Sequence, residues 1–160
     1  MSLAENKAIA LEFYRVFDQQ DIERGRELIA PDIVARGLTA EPLEGIDAVM
    51  RYGSLMVAAF PDGQHVIEEA IAEGDRVVTK GTFSGTHKGE LMGLPATGKV
   101  VSFSVIHIDR IVDGRVVEHW GQGDTPALMR QLGAIVLPGP KLLLSVAKGL
   151  LSKMFRSSDG

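Results

Sequence analysis

Cysteine is absent from the 160-residue chain, which removes disulfides, thiolate nucleophiles and thiolate-ligated metal centres together. An excess of positive charge is missing too: 17 Lys and Arg stand against 21 Asp and Glu, a formal net charge of −4. Binding nucleic acid requires clustered cations, so this balance argues against that class of partner. No stretch reaches the roughly 20 apolar residues of a membrane span. Glu5, Lys7 and Glu12 occupy the first turns, where an apolar leader core would lie, and a cytoplasmic location is the expectation. Histidine is sparse, four in all, with no His-x-x-x-His and no carboxylate group at ligand spacing. A metal is therefore not expected. Nucleophile elbows, phosphate loops and dinucleotide fingerprints do not occur.

What remains is the composition of a globular protein, 45 % hydrophobic and 24 % charged, at a length suited to one core with room for a pocket. Ile9, Phe13, Val16 and Phe17 fall on one stripe of a helix over residues 4–19. Asp21 is positioned to cap a second, short helix through Leu28, which Pro31 stops. After a short strand from Asp32 to Arg36, the spacing predicts a third helix over about Ile46 to Phe60, burying Val49, Met56, Val57 and Phe60.

Pro61-Asp-Gly63 marks a change of period from helical to two. Strands are predicted over His65–Ala72, Arg76–Ser84, Lys99–Val112 and Val116–Gln122, with hairpins at Glu73-Gly-Asp75 and Asp113-Gly114. Between the second and third of them runs a long loop from Gly85 to Gly98, in which Leu91, Met92 and Leu94 look exposed, the pattern of a lid or pocket rim. Asp124-Thr-Pro opens a last helix that Gly133 ends. Helices followed by a run of strands indicate an α+β fold with helices on one face of a curved antiparallel sheet.

A Pro/Gly hinge at Pro138-Gly-Pro140 separates the body, residues 1–137, from a tail, 138–160. On a helix over 141–156, Lys141, Ser145, Lys148 and Arg156 share one side and Leu143, Leu150 and Met154 the other. Residues 141–160 carry Lys141, Lys148, Lys153 and Arg156 against Asp159, a net +3, which leaves −7 on the rest. Contact with an anionic membrane surface, a partner subunit or the body itself is the expectation for 141–156.

The chemistry is expected on the hairpin from Ser104 to Asp124. Strict alternation puts His107 on one face with Val101, Phe103, Val105 and Asp109. A ring there is either a core histidine satisfied by a neighbour or a proton shuttle and oxyanion donor in a pocket. On the last strand Glu118, Trp120, Gln122 and Asp124 share one parity, and His119, Gly121 and Gly123 the other. If the glycines bend the strand, Asp124 turns into the cavity as acid or base; if they do not, it is a helix cap. His87 reads as part of a solvated turn and His65 as a strand-entry residue without a role.

Ala59-Phe-Pro-Asp62, Gly74-Asp-Arg-Val-Val78, Gly85-Thr-His87 with Gly93-Leu-Pro-Ala-Thr-Gly98, and Asp113-Gly-Arg-Val-Val-Glu-His-Trp120 followed by Asp124 and Gln131-Leu-Gly133 together resemble the SnoaL-like polyketide cyclase (ester cyclase) family over about residues 4–134. The resemblance implies the nuclear-transport-factor-2-like fold, a cone-shaped barrel in which N-terminal helices cover the concave face of the sheet, and a homodimer formed through its outer face. It also implies intramolecular aldol cyclisation of a polyketide ester without cofactor. Asp124 stands where the family's acid/base aspartate is expected, with His107 or His119 stabilising the oxyanion. Phe13, Phe17, Met56, Phe60 and Trp120 are the expected walls for a small apolar ligand. Hydrolysis or isomerisation in the same cavity, or ligand binding without catalysis, are the alternatives.

Overall fold

The computed structural model describes residues 1–134 and Leu144, so the boundary at 137 and, Leu144 apart, the expected basic helix over 141–156 lie outside the described residues. Among the described residues four helices and six strands follow one another, in the expected classes apart from one short added strand. Helix α1 (Leu3–Gln19) opens on a capping box in which Ser2 and Glu5 satisfy each other's backbone N–H groups. It is followed by α2 (Ile22–Leu28), capped by Asp21, then β1 (Ile29–Arg36), β2 (Leu43–Glu44) and α3 (Ile46–Ala59). A meander of β3 (Gln64–Glu73), β4 (Arg76–Thr86), β5 (Val100–Val112) and β6 (Arg115–Gly123) leads into α4 (Thr125–Leu132).

The six strands form one curved sheet in the order β2-β1-β6-β5-β4-β3. Two departures from expectation appear here. The sheet does not close into a barrel, since β2 and β3 remain its edges. Nor is it wholly antiparallel: β1 lies parallel to β6, with a register shift between Ile29 and Val34. Pro31 falls inside that irregularity, where a missing N–H costs no ladder bond, so the chain enters β1 three residues before the predicted start instead of stopping. At the β5–β6 hairpin Asp113 and Gly114 both take positive φ, 48° and 78°, as the expected tight turn demands.

Two apolar clusters hold the layers together. Phe13, Val16, Ile33, Val49, Val77 and Val116 join α1 and α3 to the sheet. Phe60, Phe83, Leu91, Val101, Leu128 and Leu132 form a second cluster under the 87–99 loop and α4. Each such side chain, once buried, contributes about 1.5–3 kcal/mol. Between the clusters the concave face is not filled, and a cavity of about 150 Å³ opens there, taking Phe13 from the first cluster and Phe83, Leu91 and Leu128 from the second.

Several of the motifs that signalled the family turn out to fasten this frame. Asp62 accepts from both the N–H (2.7 Å) and the hydroxyl (2.6 Å) of Thr86, tying the turn after α3 to the end of β4. Those bonds hold its carboxyl below the usual carboxylate range. Gln131 bonds the backbone of Ser102 in both directions, at 2.9 and 2.8 Å, and so fixes α4 on β5.

Candidate active site

Strands β5 and β6 place three polar side chains side by side on the concave face. Asp109 pairs with His119 and His107 with Gly121 across the ladder, so these three side chains share the inward face with the bare backbone of Gly121. Asp109 has no exposed surface and His119 only 5 %. Its Oδ1 accepts a hydrogen bond from Nδ1 of His119 at 2.7 Å, while the hydroxyl of Tyr14 on α1 donates to Oδ2. Tyr14 in turn accepts from Thr79 at 3.1 Å. Burial, with the Asp109 charge beside it, pushes the Tyr14 phenol well above its ordinary range, so it remains a neutral donor. Because an ionised carboxylate has no proton to give, His119 must carry its proton on Nδ1, which leaves the Nε2 lone pair for the cavity.

His107 lies between this pair and His65, its ring centroid 5.2 Å from that of His119 and 5.8 Å from that of His65. It is 7 % exposed, and neither ring nitrogen has a partner among the described residues. Burial first, then the neighbouring His119 and His65, depress its pKa to about 2. A neutral imidazole of this kind offers one donor and one acceptor to whatever enters the cavity. In the unfolded chain His107 takes a proton near its ordinary value of 6.5, and in the folded protein only near 2. The unfolded state therefore binds more protons in that window, and stability falls as pH drops below about 6.5, by up to about 1.4 kcal/mol per pH unit. Urea unfolding of the wild type and of His107→Gln at pH 7 and pH 5 checks this: the wild type should lose the larger share.

His65, expected to have no role, is a wall of the cavity. Its Nδ1 meets Asp18 Oδ1 at 2.6 Å, and its backbone N–H donates to Asp18 Oδ2 at 2.7 Å. No Lys, Arg, Asp or Glu lines the cavity among the described residues; the carboxylates stand behind the histidines. The side chain of Tyr52 also lines it, its phenol raised by burial. Among the described residues no group of three metal-ligating side chains is gathered, and no helix is long and apolar enough to cross a membrane.

Several expected placements are corrected. Strand β6 keeps its pairing with β5 from Glu118 through Gly123, so the glycine bend does not occur and parity holds. Asp124 is exposed, outside the cavity wall, and its Oδ1 caps α4 by accepting from Ala127 N–H at 2.9 Å. Trp120 points to the convex face, 52 % exposed opposite Ile108, and is no wall. Phe60 is buried behind the cavity, packed edge-on to Phe83. His87, read as solvated, is fully buried: Thr97 reaches its Nδ1 at 3.1 Å and its ring lies 5.4 Å from that of Phe60. Phe13, Phe17 and Met56 do line the cavity, as expected. So do Leu91, which is buried, and Met92, which is exposed at the rim.

Gly121 sits where this site is tightest. A Cβ there would stand 2.6 Å from Leu38, 3.1 Å from His119 Nε2 and 3.3 Å from His107 Nδ1. The absence of a side chain leaves free the space beside both imidazoles that a Cβ would take, and it also means that position 121 sends no carboxylate into the cavity.

Residues 8–132 match the model of the SnoaL-like polyketide cyclase family. The chain belongs to that family. Among curated relatives it is 37 % identical over 92 residues to aklanonic acid methyl ester cyclase DauD of Streptomyces sp. (strain C5), an alignment that spans 57 % of this chain and 57 % of that one. Similar solved structures include IdmH of Streptomyces antibioticus, provisionally described as a polyketide cyclase, with 30 % identity, TM-score 0.72 and coverage of 81 % of this chain and 99 % of that one. AclR of Streptomyces galilaeus, provisionally described as a hydroxylase, matches at 32 % identity and TM-score 0.74 over 99 % of both chains. SnoaL-like relatives thus share the cone-shaped architecture expected from the motifs.

Proposed function

We propose that this SnoaL-like protein cyclises a neutral, carbonyl-bearing polyketide-type ester by intramolecular aldol addition. The observation that carries the reading is the buried Asp109–His119 pair at 2.7 Å, whose imidazole is on the wall of an apolar cavity. Asp109 fixes the tautomer and stabilises the imidazolium that forms, and His119 Nε2 takes the proton from the carbon next to a carbonyl. The carbon pair left behind attacks a second carbonyl within the same molecule, forming a C–C bond as the C=O π pair moves to oxygen. His107 donates a hydrogen bond to that oxygen as its charge grows. Aspartate acid/base chemistry thus operates through His119, with Asp109 in place of the exposed Asp124.

Substrate charge follows from the walls. A carboxylate would find no Lys or Arg among the lining residues and would stand close to the Asp109 and Asp18 carboxylates behind the histidines, whereas an ester meets none of that cost. The curated relative's methyl ester substrate agrees with such a cavity. Incubation with aklanonic acid methyl ester, separated by chromatography, is the test: a new isomer of unchanged mass is expected, and recovery of unaltered ester contradicts the reading. The full-length similarity to AclR favours hydroxylation as a second reading, which the same assay recognises as a product about 16 Da heavier, the mass of one added oxygen.

The convex face supports a homodimer. Ile71, Val78, Ile108 and Trp120 occupy successive paired positions across β3, β4, β5 and β6, and all four are exposed. A continuous apolar row of this kind on a sheet face marks an association surface.

A further inference from the structure

We propose that His65, oriented by Asp18, is a second catalytic residue, the acid that delivers a proton to the oxygen while His119 removes one from carbon. The inference rests on the cyclase reading and assigns the other half of its proton transfer. It comes from a symmetry in how α1 meets the sheet. Tyr14 and Asp18 are one helical turn apart, on one face of the helix. The first braces Asp109 and through it His119, and the second holds His65 directly. Two imidazole–carboxylate pairs therefore flank the unpartnered ring of His107, and both rings line the same cavity.

A purely architectural His65 would need only its backbone N–H bond to Asp18 to fasten β3 to α1. Instead the carboxylate also takes Nδ1, which commits the ring's remaining nitrogen, Nε2, to exchange with whatever occupies the cavity. Asp18 is the positioning residue. With His65 charged, the step balances. His119 Nε2 gains the carbon-bound proton, the new C–C bond takes the carbanion pair, and the alkoxide takes the Nε2 proton of His65. Afterwards His119 returns its proton to solvent and His65 regains one, so that the net change moves one proton from carbon to oxygen and needs no oxidant or reductant. Both side chains of the His65–Asp18 pair are 16 % exposed, enough contact with solvent for that reset.

The test separates the two halves. Aklanonic acid methyl ester is incubated in D2O with wild type, His65→Gln and His119→Gln, and both deuterium entering the recovered ester and cyclised product are measured. His65→Gln should still exchange the carbon-bound proton within a few-fold of wild type while cyclisation falls about 10²–10³-fold. His119→Gln should lose both. Asp18→Asn, which keeps the His65 ring, should lose about tenfold in cyclisation with exchange intact, and it serves if His65→Gln does not fold. Cyclisation by His65→Gln at the wild-type rate, or loss of exchange and cyclisation in equal proportion, overturns the assignment. Wild type that neither exchanges nor cyclises overturns the cyclase reading itself, and this assignment with it.

Discussion

Asp109→Asn should lower kcat/KM for ester cyclisation by about 10²–10⁴-fold, the usual worth of a positioned proton-transfer group. Asparagine keeps the shape but not the charge, and it offers one acceptor where Asp109 offers two. Tyr14 and His119 Nδ1–H both need an acceptor at this buried point. If the amide oxygen serves Tyr14, its NH2 group faces His119 and selects the tautomer protonated on Nε2, which removes the lone pair from the cavity. If the oxygen serves His119 instead, the imidazolium formed during the reaction has lost its counter-charge. Either outcome slows proton removal. Asparagine is the right probe because Asp109→Ala would leave two buried donors unpaired, at about 1–3 kcal/mol each, and mix a folding defect with a chemical one. Steady-state kinetics together with circular dichroism should show native secondary structure and poor turnover.

Ile108→Lys together with Trp120→Lys should abolish the proposed dimer. These residues face each other across β5 and β6 on the convex side, with Val78 and Ile71 continuing the row on β4 and β3. In a symmetric dimer each would meet its own copy or a near neighbour, so two lysines per chain would set four charges against one another in a desolvated interface. The cavity opens on the opposite face, so chemistry per site is expected to persist. Sedimentation or light scattering reads the result directly. A wild type that is already a single chain, or a doubly substituted protein that remains paired, would contradict the dimer.

Local patterns carried much of this fold because they report local forces. The turn at Asp113-Gly114, the alternation that set His107 and Asp109 on one face, and the cap at Asp124 are each fixed by residues within a few positions. The same alternation already separated His119 from Trp120. It went astray only where glycines suggested a bend that β5 does not permit, since pairing with β5 continues through Gly123. What lay beyond the sequence was long-range. Tyr14 reaches Asp109 across 95 residues and Asp18 reaches His65 across 47, and no local periodicity encodes such meetings. His87 reads locally as part of a solvated turn because its company, Thr97 and Phe60, gathers only when the 87–99 loop folds over the second cluster. The parallel pairing of β1 with β6 likewise depends on a crossover that short-range patterning does not show.

The central claim is that the acid/base carboxylate of this site is Asp109 acting through His119, and that Asp124 is a cap. Comparing His119→Gln with Asp124→Ala in one assay, for ester cyclisation and for thermal unfolding, tests it most directly. His119→Gln should lose about 10²–10⁴-fold in turnover. Asp124→Ala should lose about 0.5–2 kcal/mol of stability and cyclise at close to the wild-type rate. An inactive but stable Asp124→Ala beside an active His119→Gln would contradict the account.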